Sequence, residues 1–395
     1  MIAIGDIRFW AAAGIVLLYG GFSDPTPDQP GIVEAVIGAG LLTLVGVWRG
    51  VLLVSGVGAL LVRQEPAVIV RNLAFMYLMI VPTLVALTRQ VSLVDLVRDL
   101  IPMLYLFLPV LVGERLLRYR SEQRMRLLIA ACTAAGIVLA IRHLAVTAGD
   151  LTLLGSAFAS EHSLYLSTDS FVHFAAAFLL MHAIRMASFL RPGRLLLAVA
   201  LFAAGLFCLA VLGLKGHRGP VALTVIVCAI YVVMAPGSAL PGRARLIFVS
   251  ALLASAVLVF FGDVVAGLWQ LFLAKHEAVG LSNRDAEFLE IVSVVFRHWP
   301  HAFFGLGFGS VYASPAAAST VNFAHWIGGY ILLKAGIIGA LFLAVYLASF
   351  TGQAFRALRT NTVAALAIAG PMLIGLTISG TYRFLSFGIL LTVLY

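Results

Sequence analysis

Residues 195–213 read LLLAVALFAAGLFCLAVLG. The stretch has no charge and no proline, and at a rise of about 1.5 Å per residue a helix of this length crosses a hydrocarbon core about 30 Å thick. It begins after Arg191-Pro192-Gly193-Arg194 and stops at Lys215. Apolar runs of this kind recur along the chain. In a chain of 395 residues with 62% hydrophobic and 11% charged content and a mean hydropathy of +1.07, no water-facing surface can be assembled for a soluble domain. The expectation is an all-α polytopic membrane protein, residues 1–395 forming a single integral membrane domain, since only helices satisfy the backbone internally in such runs.

Composition narrows the function further. The net charge of +9 comes from arginines in short connectors, where basic residues set topology, so no nucleic-acid partner is expected. Cys132, Cys208 and Cys228 all lie in apolar runs, which argues against a disulfide framework or a cysteine metal site. The first run follows Asp6 and Arg8 and leads into Ser23-Asp24-Pro25-Thr26-Pro27 without a small-residue cleavage site. It reads as a retained span.

Four arginine-rich connectors, 115–126, 185–194, 243–245 and 356–359, should face the cytoplasm. Spans near 8–22, 31–47, 69–88, 100–113, 124–146, 165–187, 194–213, 219–235, 246–271, 326–349, 361–379 and 382–395 then alternate without conflict. This makes about 12 crossings, with both termini inside. The stretch 50–62 is apolar but short, and if it crosses fully the N-terminus moves outside. The same topology puts Lys215 to Gly219, a loop over 273–324, His325, the Thr381-Tyr382-Arg383 turn and the Arg142-His143 pair on the outer side. Outward basic groups break the charge rule, and ionisable groups beside spans are functional candidates by default.

Three motifs carry a resemblance: Gly216-His217-Arg218-Gly219-Pro220 opening a span; Ser282-Asn283-Arg284-Asp285, then Trp299-Pro300 and Gly305-Leu306-Gly307-Phe308-Gly309; and His325 followed by Lys334-Ala335-Gly336-Ile337-Ile338-Gly339. In order and spacing they are similar to the O-antigen ligase and O-antigen polymerase superfamily of integral-membrane glycosyltransferases, over roughly residues 195–350. The resemblance implies a GT-C-like helical fold in the bacterial inner membrane with its site facing the periplasm. The implied donor is a glycan on undecaprenyl diphosphate. The implied acceptor is lipid A-core for a ligase or a lipid-linked repeat for a polymerase, the two standing near even. Trp326 departs from the asparagine common after the family's histidine, and His217 replaces a small hydroxyl residue and adds a protonatable group.

The resemblance assigns Arg218 and Arg284 to the diphosphate, which guanidinium forks bind bidentately while staying charged, with stabilisation growing as the leaving group gains charge. It assigns His325 as the base that removes the acceptor hydroxyl proton, with inversion at the anomeric carbon. His217, Lys215, Arg142 and Arg383 are secondary candidates. The structural readings stand beside these. Arg218 at a span end can snorkel to headgroups, Arg284 can pair with Asp285, Glu287 or Glu290, and His325 beside Trp326 can be an interfacial anchor. The glycines of 305–309 read first as turns, and Gly336 and Gly339 as close helix packing. Lys334, deeper in its span, needs a carboxylate or a polar cavity. A zinc set of His276, His298, His301 and His325 is disfavoured, and with two arginines available to neutralise charge no metal or other cofactor is expected. From a different class, a transporter or flippase would show inverted repeats and charges at mid-depth.

Overall fold

The computed structural model describes residues 4–26, 31–43, 66–113, 121–147, 161–187, 192–214, 218–234, 284–315 and 319–394, with isolated positions between 247 and 273. The short stretch 50–62, the expected span 246–271 for almost all its length, and Lys215, His217 and His276 lie outside the described residues.

The described residues are almost wholly helical. Five helical segments are long and apolar enough to cross a membrane: Pro66–Thr88, Glu122–Thr147, Ser170–Ala187, Gly193–Gly213 and Ile327–Thr360. Shorter apolar helices run over Ile7–Phe22, Ile32–Leu41, Arg218–Met234, Thr362–Thr377 and Leu385–Leu394. The chain is therefore an all-α membrane protein. Its residues group into two compact units, one of Met1–Ala131, Ser282–Phe355 and Met372–Tyr395, the other of Cys132–Leu281 and Arg356–Pro371.

In the second unit, small residues let helices approach closely. A Cβ on Gly136 of Glu122–Thr147 would sit 2.2 Å from the Phe171 carbonyl oxygen, and one on Gly205 would sit 2.9 Å from Leu180 Cγ. Where lipid is as apolar as leucine, such backbone-close contacts supply the dispersion that holds helices together.

The first unit carries the residues singled out above. We label its elements α1 (Pro66–Thr88), α2 (Leu93–Leu106), α3 (Arg284–Val295), α4 (Trp299–Phe304), β1 (Tyr312–Ser314), β2 (Ser319–Val321) and α5 (Ile327–Ala348). The Ser92 side chain caps α2 by accepting from the Asp95 N–H at 3.1 Å, satisfying one donor of its first turn. The expected loop over 273–324 is built structure wherever it is described. Two helices, a glycine-rich turn and a two-stranded hairpin pairing Tyr312 with Val321 and Ser314 with Ser319 replace an open connector.

The glycines explain how this segment docks. Gly336 breaks α5 at φ 67°, ψ −166°, a conformation that glycine alone adopts without strain. The break takes the Leu333 and Lys334 carbonyls out of the helical ladder, and they accept instead from the Leu306 N–H at 2.8 Å and the Gly307 N–H at 3.0 Å. A Cβ on Gly305 would lie 2.3 Å from the Lys334 carbonyl carbon, and one on Gly336 2.4 Å from that of Phe303. Gly305, Gly307 and Gly309 all have positive φ. The turn reading of 305–309 matches this geometry, whereas Gly336 is a docking notch and not a helix-packing contact. Gly339 does pack against a helix, its Cβ position lying 3.3 Å from Leu78 of α1.

Candidate functional site

Arg284 is the first residue of α3, and Asp285 and Glu287 follow in its first turn, where carboxylates complement the helix dipole. Glu287, one turn on, points inward and is only 3% exposed. A carboxylate buried so deeply needs donors, and four surround it. The Tyr312 hydroxyl donates at 2.5 Å, the Ser314 hydroxyl lies at 3.3 Å, and His325 approaches through Nδ1 at 3.1 Å and through its backbone N–H at 3.4 Å. The hairpin supplies the first two and the β2-to-α5 connection supplies His325. The docked glycine turn leads directly into Tyr312.

A carboxylate can only accept, so the imidazole carries a hydrogen on Nδ1 and is oriented by Glu287. Nε2, on the far side of the ring, makes no hydrogen bond with a described residue, and the side chain keeps 31% exposure. Burial would raise the Glu287 pKa, but the hydrogen bonds from His325 and Tyr312 outweigh it and hold the carboxyl below its ordinary value. Burial, together with the same contact, pushes the Tyr312 phenol up, so it remains a neutral donor. Desolvation lowers the Arg284 pKa, against the pull of Glu287, and a guanidinium remains cationic through such a shift. Arg284 makes no ion pair with a described residue. Together with Glu287, Phe288, Ala324, His325 and Trp326 it lines a cavity of about 250 Å³.

Next to this site lies a second charged assembly. Asp99 of α2 is fully buried, as is Lys334 of α5, and Nζ sits 2.6 Å from Asp99 Oδ2. Arg383 reaches Oδ1 at 3.2 Å, the Gly309 N–H donates to Oδ2 at 2.7 Å and Asn322 Nδ2 lies 3.3 Å from Oδ1. Lys334 also donates to the Ser310 carbonyl at 2.5 Å. Tyr330 lies under both cations, its ring centre 5.5 Å from Lys334 Nζ and 5.2 Å from the Arg383 guanidinium carbon. The carboxylate that Lys334 requires is thus Asp99.

The structure brings Arg284 and His325 to one cavity. Arg383 is engaged by Asp99 and does not line that cavity. Arg218 opens the helix Arg218–Met234, and Arg142 sits half-buried beside the buried His143. Both belong to the other unit. His298 and His301 meet edge to face at 5.4 Å. Among the described residues no three His, Cys, Asp or Glu side chains are grouped as a metal would require. Glu287 is the candidate residue that sequence reasoning undervalued. Its three-residue offset from Arg284, which on a helix puts both on one side, was the available signal. No protein-family model matches the chain, and no curated protein matches it.

Proposed function

We propose that the first unit holds the active site of a membrane glycosyltransferase that moves a glycan from undecaprenyl diphosphate onto a sugar hydroxyl. The observation that carries this reading is the pairing of a buried, ionised Glu287 with His325 Nδ1, in a cavity that Arg284, which forms no ion pair with a described residue, also lines. A carboxylate behind an imidazole fixes the tautomer and stabilises the imidazolium that forms when Nε2 takes a proton. The acceptor oxygen attacks the anomeric carbon from the face opposite the diphosphate, its proton passes to His325 Nε2, and the C1–O bond breaks with its electron pair going to the diphosphate. The outcome is inversion. Arg284 is assigned to the diphosphate, whose charge rises as the bond breaks; Arg218, given the same role by the family resemblance, belongs to the other unit. The site is read as facing the periplasm, within a bundle of about 12 crossings of GT-C-like type in the bacterial inner membrane.

The test is transfer by purified protein in detergent and EDTA, given undecaprenyl-diphosphate glycan with lipid A-core or with no second acceptor. Product on lipid A-core that His325→Ala and Arg284→Ala both lose makes the protein a ligase, and a lengthening lipid-linked ladder makes it a polymerase. No product from folded wild-type protein defeats the proposal.

One observation favours a transporter or flippase instead. The Asp99–Lys334–Arg383 assembly is an ionisable cluster sealed inside an apolar bundle, as transport pathways often contain. Its hydrogen bonds run to the turn at Gly309 and Ser310, which favours a structural task. Glycan-dependent flux in proteoliposomes without transfer would reverse that preference.

A further inference from the structure

Trp326 stands between His325 and the start of α5, and its indole is 42% exposed although it lines the cavity. Its position is built, not incidental. A Cβ on Gly328 would lie 2.5, 2.6 and 2.9 Å from the indole Cζ2, Cε2 and Cη2 atoms. Three such short, similar distances place the glycine over the face of the six-membered ring and not at its edge. Only a residue without a side chain lets the indole lie flat on the helix start. Phe288 of α3 braces it at a 5.0 Å ring separation and 63° between planes. The indole is thus held from its helix side and from α3, and much of its surface is left bare beside the base.

We propose that Trp326 is the floor of a sugar subsite, on which one pyranose ring of the acceptor lays its C–H face. This rests on the transferase reading given above and adds the chemical class and pose of the acceptor. Ring C–H hydrogens carry slight positive charge and are attracted to the negative face of an aromatic system. The hydroxyls at the rim of the same ring are left to meet Arg284, Asp285 and His325, which line the same space. The volume, about 250 Å³, falls just below the roughly 300–1,000 Å³ of pockets that take drug-sized ligands. It accommodates one sugar ring, with the rest of the glycan outside. In the chemical step, the hydroxyl of the stacked ring that gives its proton to Nε2 becomes the oxygen bonded to the anomeric carbon, as the C1–O bond to the diphosphate breaks.

The experiment has two arms, so that failure of the transferase reading and failure of the subsite are separable. The first is saturation-transfer NMR on purified protein with methyl β-D-glucopyranoside, methyl β-D-galactopyranoside and methyl N-acetyl-β-D-glucosaminide, which needs no turnover. Wild-type protein is expected to saturate the axial ring protons of at least one of them, and Trp326→Leu, which keeps an apolar anchor but removes the flat face, is expected to abolish the signal. Trp326→Phe is expected to retain part of it. The second arm is turnover with acceptor varied at saturating donor, where Trp326→Leu is expected to raise the acceptor KM roughly tenfold, about 1.4 kcal/mol, with kcat and donor KM little changed. No saturation transfer to wild-type protein with any of the three sugars overturns the subsite, as does a Trp326→Leu protein with unaltered signal and acceptor KM. Should Trp326→Leu fail to fold, Trp326→Phe and Gly328→Ala carry the same readouts, and unchanged behaviour in both overturns the subsite. A silent transfer assay with intact sugar binding overturns the transferase reading alone.

Discussion

Two carboxylates of the first unit, Asp99 and Glu287, are both buried and both face cations or cation-forming groups, but they are built for opposite ends. Asp99 is closed on every side by Lys334, Arg383, Asn322 and the Gly309 N–H. The Gly309 bond fastens the glycine turn to α2, the Lys334 pair fastens α5 to α2, and both carboxylate oxygens have donors. Glu287 uses its donors to hold one edge of a ring whose other nitrogen, beside a cavity, makes no hydrogen bond with a described residue. The same chemistry serves as a rivet when it is saturated, and as a candidate acid–base device when one valence is left open.

The strongest way to break this comparison is to open the rivet. Removing one partner of a buried ion pair costs about 3–5 kcal/mol because the other charge is left uncompensated. Asp99→Ala and Lys334→Met should therefore abolish monodisperse protein on size-exclusion chromatography, and recovery of stable, active protein from either would show that the cluster is not the fastening it resembles. At the other carboxylate, His325→Ala should lower kcat by about 10³, within the range for a general base, with a stability loss of only about 1–3 kcal/mol for the missing donor to Glu287. A collapse of stability in that variant would make His325 structural.

Substituting the orienting carboxylate sharpens the contrast. Glu287→Gln keeps the shape but removes the charge and allows the wrong imidazole tautomer, so kcat should fall on the order of 10². Its pH signature follows from the sign of the shift. A carboxyl held below its ordinary value in the folded state stabilises the fold fully above that ordinary value, and the contribution is lost as pH falls through the depressed one. Wild-type melting temperatures should thus drop below about pH 4.5 more steeply than those of Glu287→Gln. Parallel curves would mean that Glu287 gains nothing from its donors. The smallest effect is expected from Tyr312→Phe, which removes one of several donors to Glu287. A loss of about 1–2 kcal/mol of stability with less than tenfold change in kcat is the outcome that thermal unfolding and initial rates should record.

Much of the site was legible before folding. Arg284 and His325 stood out because outward basic groups break a charge rule, and Lys334 because a lysine in a span must find a partner. Neither partner's identity could be read. Asp99 lies on a helix remote in sequence, and Glu287 looked like one of three acidic neighbours for Arg284. The stretch 273–324 read as an open loop because short helices and a three-residue hairpin leave little periodic signal, and their stability comes from contacts with α1 and α5.

Hydropathy, which is a sum over local side chains, was enough by itself to determine that this chain is an all-α membrane protein. Composition and the punctuation by arginines likewise sufficed to name the residues that a membrane does not explain. Only the tertiary structure decided what those residues do to one another. The Gly336 break frees two carbonyls, the Gly305–Gly309 turn caps them, and that docking carries Tyr312 to Glu287 and Glu287 to His325. Hydrogen bonds and ion pairs depend on ångström-scale distances between atoms far apart in the chain, and no local property of the sequence encodes those distances.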